Sequence, residues 1–476
     1  MVKNYQHILK EVLKQITPNK EEIKSLNSVA KDVFSMTKKE AKRMKADVML
    51  AGSITRDTWL PGKKEFDIFI LFPTNLKKKD LEKKGISLGK KIFEKLGGKW
   101  RIDYAQHPYV SGNIDGIEVD IVPSYNVKSP SQLQSAVDRT PFHVRYIQKN
   151  LKKNMSSQVR LLKQFLTVHN LYGADAKTQG YSGYVCELLT IKYKNFLNVL
   201  KAVSKWKPIE IIDLERAYIK KDYKHLIKQY RKVLILIDPT DKTRNTTAAL
   251  SSENFYKFIK ISKEFLQAPL KESFVTKGEI PITESEFILN QIQRRTELIF
   301  VKFQCPNVVP DILWPQLRRF AERLQTILEE TKYEFKVLRK GIFTDEKDIA
   351  IILLEMEVSK LPIVQKRIGP LVTDLDDSQR FLEKYKTNTL NGPYIENDFW
   401  VVEVNRKFIT AREKILDTLT KNVKILEEKG IPNFIAKEIS KNYEVFSESD
   451  KALSLIKINK NFGIFLKKFF EKYSLI

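Results

Sequence analysis

One stretch, Ala51 to Phe72, constrains the chain more than any other. Val48-Met49-Leu50 reads as a buried strand. Gly52-Ser53 ends it and opens a short polar segment. After the turn at Pro61-Gly62 a second strand begins with two acids, Glu65 and Asp67, and continues as the apolar run Ile68 to Phe72. Side chains two apart on a strand share a face, so Glu65 and Asp67 lie side by side. The apolar run predicts a strand buried on both faces. Like charges at a buried edge are costly. A cation relieves that cost, and hard carboxylate oxygens suit Mg²⁺. The plainer reading is a solvated acid pair at the mouth of a strand. Gly52-Ser53 weighs against it, because a small residue and a serine at a strand-to-helix turn let backbone N–H groups and a hydroxyl reach a phosphate.

Phosphate grip, short excursion and acids at i and i+2 together resemble the nucleotidyltransferase superfamily. That superfamily adds a third carboxylate from a later strand. Tyr109 to Ile114 and Ile117 to Val122 read as strands joined at Asp115-Gly116, a strong hairpin signal. The second carries Glu118 and Asp120 on one face. Either could be the third acid.

With 476 residues, 42% of them hydrophobic, the chain has ample material for two to four domains. The formal net charge of +26 favours a polyanionic partner. No apolar run reaches membrane-spanning length and the N-terminus is polar, so no membrane association is expected. Cys186 and Cys305 are far apart and match no zinc spacing. A reducing, cytoplasmic setting is expected.

Apolar periodicity predicts helices over Tyr5 to Ile16 and Lys20 to Arg43, then the strand–turn–strand unit, a helix over Lys79 to Leu96 and a strand over Lys99 to Tyr104. Residues 1–150 form one small α/β domain on this reading. The pattern of residues 151–274 is helical, with a short strand at Lys232 to Ile237 and a helix from Asn245 to Gln267. Residues 275–405 read as a second α/β domain, with a helix at Gln316 to Glu330 and strands at Leu298 to Phe303, Phe335 to Ile342, Ala350 to Glu357 and Phe399 to Val404. Leu375 to Asp398 reads as a loop or mobile insert. Residues 406–476 read as a long helix, Lys407 to Lys429, followed by short helical pieces.

The chain resembles the archaeal, class I CCA-adding enzymes (tRNA nucleotidyltransferases) almost from end to end. The likeness rests on Gly52-Ser53-x-x-Arg56, Glu65-x-Asp67, Glu118-Val119-Asp120, Asp138-Arg139-Thr140-Pro141-Phe142-His143, Val159-Arg160-Leu161-Leu162-Lys163, Tyr172-Gly173-Ala174, Gly180-Tyr181-Ser182-Gly183-Tyr184-Val185-Cys186-Glu187 and Asp238-Pro239-x-Asp241-x-x-Arg244-Asn245. It implies an α+β multidomain chain: a nucleotidyltransferase-type mixed-sheet head, a helical neck that helps to bind the nucleotide, a small α/β body and a helical tail. The implied reaction is template-independent addition of CCA to tRNA from CTP and ATP, with two Mg²⁺ ions and release of pyrophosphate. Glu65, Asp67 and Asp120 take the catalytic, metal-holding roles by this resemblance, and motif position favours Asp120 over Glu118. Ser53, Arg56, His143, Lys163 and Tyr172 take the nucleotide-binding roles. Taken alone, His143 reads as a cap or core histidine, Tyr172 as a core aromatic and Arg56 as one half of a surface ion pair. Arg244 resembles a neck arginine that reads the incoming base. The tRNA would be held at its 3′ end and elbow, and a homodimer is compatible with the sequence. A poly(A) or oligoadenylate polymerase on the same acids, and a non-catalytic RNA-binding protein with a degenerate core, are the alternative readings.

Overall fold

The computed structural model describes residues 5–104, 107–276, 278–330 and 333–471. The fold is α+β, in two compact units divided after residue 277.

The first unit begins with α1 (Tyr5–Ile16) and α2 (Lys20–Lys42); a capping box between Asn19 and Glu22 starts α2. Next come β1 (Asp47–Ala51), a 3₁₀ turn (Ser53–Arg56), β2 (Glu65–Phe72), α3 (Lys78–Lys95), β3 (Lys99–Tyr104), β4 (Pro108–Ile114) and β5 (Ile117–Tyr125). The strands form one mixed sheet in the order β1-β2-β5-β4-β3. β2 and β5 are parallel, and the other pairs are antiparallel. Asp115 and Gly116 both have positive φ, 51° and 78°, which the tight β4–β5 hairpin requires. Alternation then sorts the two faces. Phe66, Ile68, Ile70 and Phe72 of β2 pack with Val119 and Ile121 of β5 under α2 and α3. Burying each such side chain contributes about 1.5–3 kcal/mol. The opposite face carries the acids.

The same unit continues with α4 (Thr140–Asn150), α5 (Ser156–Val168), α6 (Gly183–Tyr193), α7 (Phe196–Val203), β6 (Glu210–Ile212), α8 (Tyr223–Tyr230), β7 (Leu234–Asp238), β8 (Asp241–Asn245) and α9 (Ser252–Gln267). Its core gathers Phe165, Phe196, Phe258 and Phe265, and α1 joins it through Val12 and Ile16. The strand expected at Lys232 to Ile237 is β7, and it is the centre of a three-stranded sheet whose other members, β6 and β8, the sequence reading did not place. β6 has only three residues and β8 reads Asp-Lys-Thr-Arg-Asn, so neither shows apolar alternation. The helix expected from Asn245 starts at Ser252, capped by the Ser251 hydroxyl.

The second unit holds α10 (Glu284–Arg294), β9 (Glu297–Gln304), α11 (Pro310–Leu328), β10 (Lys336–Thr344), β11 (Ile349–Val358), β12 (Val364–Leu371), α12 (Leu375–Lys384), β13 (Asn391–Glu396), β14 (Phe399–Asn405), α13 (Ala411–Leu419), α14 (Val423–Glu428), α15 (Asn433–Lys441), β15 (Tyr443–Phe446), α16 (Ser449–Ile458) and α17 (Lys460–Phe470). One antiparallel sheet runs β10-β11-β9-β15 and a second β12-β14-β13. Three sequence expectations are corrected here. Leu375 to Asp398 is ordered as α12, capped by Asp374, and β13; both elements are short and half exposed, which hid their periodicity. The single helix over Lys407 to Lys429 is two helices, because the Asn422 side chain caps a new start at Val423. The tail contributes a strand, β15, as well as helices. Among the described residues no helix is long and apolar enough to cross a membrane.

Candidate active site

Gly52 leaves β1 with φ +87°, a backbone that L side chains rarely adopt. A Cβ there would also stand 3.3 Å from Asp67 Oδ2. Conformation therefore demands glycine, and a Cβ would also press on the Asp67 carboxylate. Ser53 opens the tight turn that follows, and Arg56 ends it.

The parallel pairing of β2 and β5 sets Glu65 against Glu118 and Asp67 against Asp120. Glu118 is exposed, whereas Asp67 and Asp120 are partly buried. Burial pushes the Asp67 carboxyl up to about 7, and the charges of Asp120 and Glu65 add to the push against the opposing pull of Arg56. Burial raises Asp120 as well, opposed by a hydrogen bond with Ser111. Among the described residues no three His, Cys, Asp or Glu side chains form a ready-made metal cage. The set is an open row of oxygen donors. It suits Mg²⁺, which binds through one or two carboxylates with substrate phosphates and water filling the rest.

Arg56 Nε donates to Glu187 Oε1 at 2.9 Å, and the Thr58 hydroxyl donates to the same oxygen at 2.8 Å. Glu187 is fully buried, and its Oε2 has no hydrogen-bond partner among the described residues. Arg56 is thus half of a buried ion pair rather than a surface one, and the neighbouring Asp57 pairs with Arg160. Lys163 is buried, and its ammonium donates to the Thr58 carbonyl at 3.0 Å and hydroxyl at 3.2 Å. Burial lowers its pKa, opposed by Glu187. A Cβ on Gly183 would lie 3.1 Å from the Tyr172 hydroxyl and 3.6 Å from Lys163 Nζ, so this glycine lets both polar groups close on the start of α6.

His143 stacks on Tyr184, ring centroids 4.1 Å apart, and its Nε2 lies 2.8 Å from Asp238 Oδ2. Buried Asp238 also accepts from Arg244 Nη1 at 2.9 Å, the Tyr184 hydroxyl at 3.2 Å and the Thr240 N–H at 2.9 Å. Burial alone would raise the Asp238 carboxyl. Its hydrogen bond with His143, the His143 charge and the Thr240 bonds outweigh that and hold it well below the usual carboxylate range.

Gly52, Arg56, Asp67, Thr140, His143 and Tyr184 line one cavity of about 160 Å³. Arg244 lines a second, of about 500 Å³, with Arg139, Asp241, Tyr230 and Ser182. Sequence-predicted Arg56, Asp67 and His143 thus meet in one cavity. Ser53, Lys163 and Tyr172 are not among the residues lining it. Glu187, Asp238 and Tyr184 had no role in the sequence reading. The signal for Asp238 was an acid ending a wholly apolar strand, and for Glu187 an acid among apolar helix residues.

Three family descriptions match in succession: Nucleotidyltransferase domain over residues 34–143, tRNA nucleotidyltransferase, second domain, over 157–275, and CCA-adding enzyme, C-terminal domain, over 294–448. A CCA-adding enzyme of Methanosarcina mazei is 34% identical over 96% of this chain and 96% of its own. That of Archaeoglobus fulgidus is 33% identical over 88% of this chain and 92% of its own. Among solved structures, the Cid1 poly(U) polymerase with Mg 3′-dATP aligns at 14% identity over 58% of this chain and 100% of that one, with TM-score 0.45. On the curated relatives and the three successive matches, the chain belongs to the CCA-adding enzymes, the tRNA nucleotidyltransferases.

Proposed function

We propose that the protein appends C, C and A to tRNA 3′ ends from CTP and ATP, by a two-metal nucleotidyl transfer that releases pyrophosphate. The observation that carries this reading is the row of Asp67 and Asp120 beside the Gly52 turn, with Asp67 pushed to about 7. Such a row is electrostatically incomplete without a cation.

Glu65, Asp67 and Asp120 would hold two Mg²⁺ ions, which when bound ease deprotonation of the attacking 3′-hydroxyl and offset charge on the leaving pyrophosphate. Ser53, backbone N–H groups of its turn and Arg56 grip the triphosphate. Glu187 and Thr58 hold Arg56 and Lys163 in place from behind. His143 faces the sugar or triphosphate from the cavity wall, and Tyr172, whose hydroxyl stands beside Gly183 at the start of α6, stacks or hydrogen-bonds near the nucleotide. Arg244, steadied by Asp238, reads the base. Cytosine and adenine both offer a ring-nitrogen acceptor beside an exocyclic amine. Uracil and guanine present an N–H there, which leaves buried polar groups unpaired at a cost of about 1–3 kcal/mol. Residues 1–150 act as catalytic head and 151–274 as nucleotide-binding neck. Residues 275–405 and 406–476 grip the tRNA elbow, in the cytoplasm.

The test supplies Mg²⁺ and tRNA lacking CCA with CTP alone, ATP alone, or both. CTP alone should add two residues and both nucleotides should complete CCA. Long tails from ATP alone would favour a poly(A) polymerase instead, and no incorporation at all would favour a non-catalytic RNA-binding protein.

A further inference from the structure

The sheet face that carries the acids continues beyond them. Register aligns Asp67 with Asp120, Asp120 with Ser111, and Ser111 with Arg101, one row across four strands. The next row runs Glu65, Glu118, Asn113, Lys99. From the phosphate turn outward, this face therefore carries acids, then exposed Asn113 beside a buried Ser111, then two exposed cations on the edge strand β3. The turn adjoins β1, whose Ala51 pairs with Asp67.

Phosphoryl transfer puts the attacking and leaving oxygens roughly in line, on opposite sides of the reacting phosphorus. With the leaving pyrophosphate on the β1 side, the attacking strand must arrive over β4 and β3. An RNA strand crossing toward Glu65, Asp67, Glu118 and Asp120 is repelled by them, and cations on its path offset that. Neighbouring strands lie about 4.8 Å apart, which puts Arg101 roughly 10 Å from Asp120 and within reach of a phosphate behind the terminal nucleotide. Arg101 is well exposed and, among the described residues, pairs with Asp103 at 2.8 Å through Nε only. The rest of its guanidinium fork is left to donate outward. An exposed pair of this kind is worth at most about 1 kcal/mol, so a phosphate displaces or joins it cheaply.

We propose that Arg101 and Lys99 on β3 are phosphate contacts for the acceptor strand of the RNA, which runs over β4 past Ser111 and Asn113 to present its 3′-hydroxyl at Asp120. This subsite rests on the reaction proposed above.

The experiment uses the full chain with Lys99→Gln and Arg101→Gln together, tRNA lacking CCA, CTP and Mg²⁺. The KM for the tRNA should rise several-fold while the KM for CTP stays within about twofold. The slope of log affinity against log salt should become shallower by about 1.5, for two lost phosphate contacts. Lys31→Gln with Lys38→Gln removes the same charge from α2, which covers the opposite face, and should change neither quantity. An unchanged KM for tRNA, an equal rise for CTP, or an equal effect of the α2 pair would overturn the subsite. Absence of incorporation by the unaltered protein would overturn the reaction itself.

Discussion

Gly52 and Asp67 are two ends of one contact: the glycine that bends the chain leaves just enough room for the carboxylate. Gly52→Ala should cost about 1–3 kcal/mol for the forced backbone, φ 87° with ψ 176°. It should also depress kcat by displacing Asp67; a variant with wild-type melting temperature and kcat would contradict this. Asp67 carries a pH signature. Its folded value of about 7 lies above the ordinary 3.8, so folding opposes the ionised form. That penalty is absent below about pH 4, grows as pH rises toward 7, and is complete above it. Asp67→Asn should therefore stabilise the metal-free protein at pH 8, by on the order of 4 kcal/mol, and scarcely at pH 4. Thermal melts at the two pH values check this, and a gain at pH 4 as large as at pH 8 would refute it. Glu118→Gln should leave activity nearly intact, because Glu118 opposes Glu65 rather than Asp67. Loss as complete as in Asp120→Ala would show that Glu118 is the third acid. The acids were legible in sequence because strand alternation is local. The partners of Arg56 and His143 were not, since Glu187 and Asp238 lie 131 and 95 residues away along the chain.

Among elements, those with long apolar periodicity were legible: α1 and β3 fall where the sequence places them, and α2, α3 and β2 within a residue. Short polar ones were not. β8 is half of the platform for Arg244, yet its five residues contain no apolar side chain. Pro315 lies inside α11 and delayed the expected start to Gln316, whereas the helix begins at Pro310, where the missing N–H costs nothing. The β7–β8 corner makes its own prediction. Asp238 accepts from Arg244, His143, Tyr184 and Thr240, so Asp238→Asn should loosen Arg244 without touching the carboxylate row. Arg244→Ala and Asp238→Asn should both lower kcat/KM for CTP and ATP more than for UTP, narrowing the margin. Proportional losses for all three nucleotides would mean that Arg244 does not read the base.

At the scale of the whole molecule the +26 charge predicts steeply salt-dependent tRNA binding. Its distribution is less simple than its sum. The lysine-rich C-terminal helices are partly neutralised, since Lys457, Lys467 and Lys468 pair with Glu284, Glu286 and Glu279. Lys152 and Lys153 are exposed between α4 and α5. The salt slope for tRNA should exceed that for a short 3′-end oligonucleotide, and equal slopes would show that only the end is gripped. On the reaction proposed above, one carboxylate row performs every addition. The most direct test of this is single-turnover incorporation by Asp67→Ala and by Asp120→Ala, of C onto tRNA lacking CCA and of A onto tRNA ending in CC, with tRNA binding measured alongside. Both additions should vanish in both variants while binding persists. Survival of either addition at near wild-type rate, in either variant, would contradict the account.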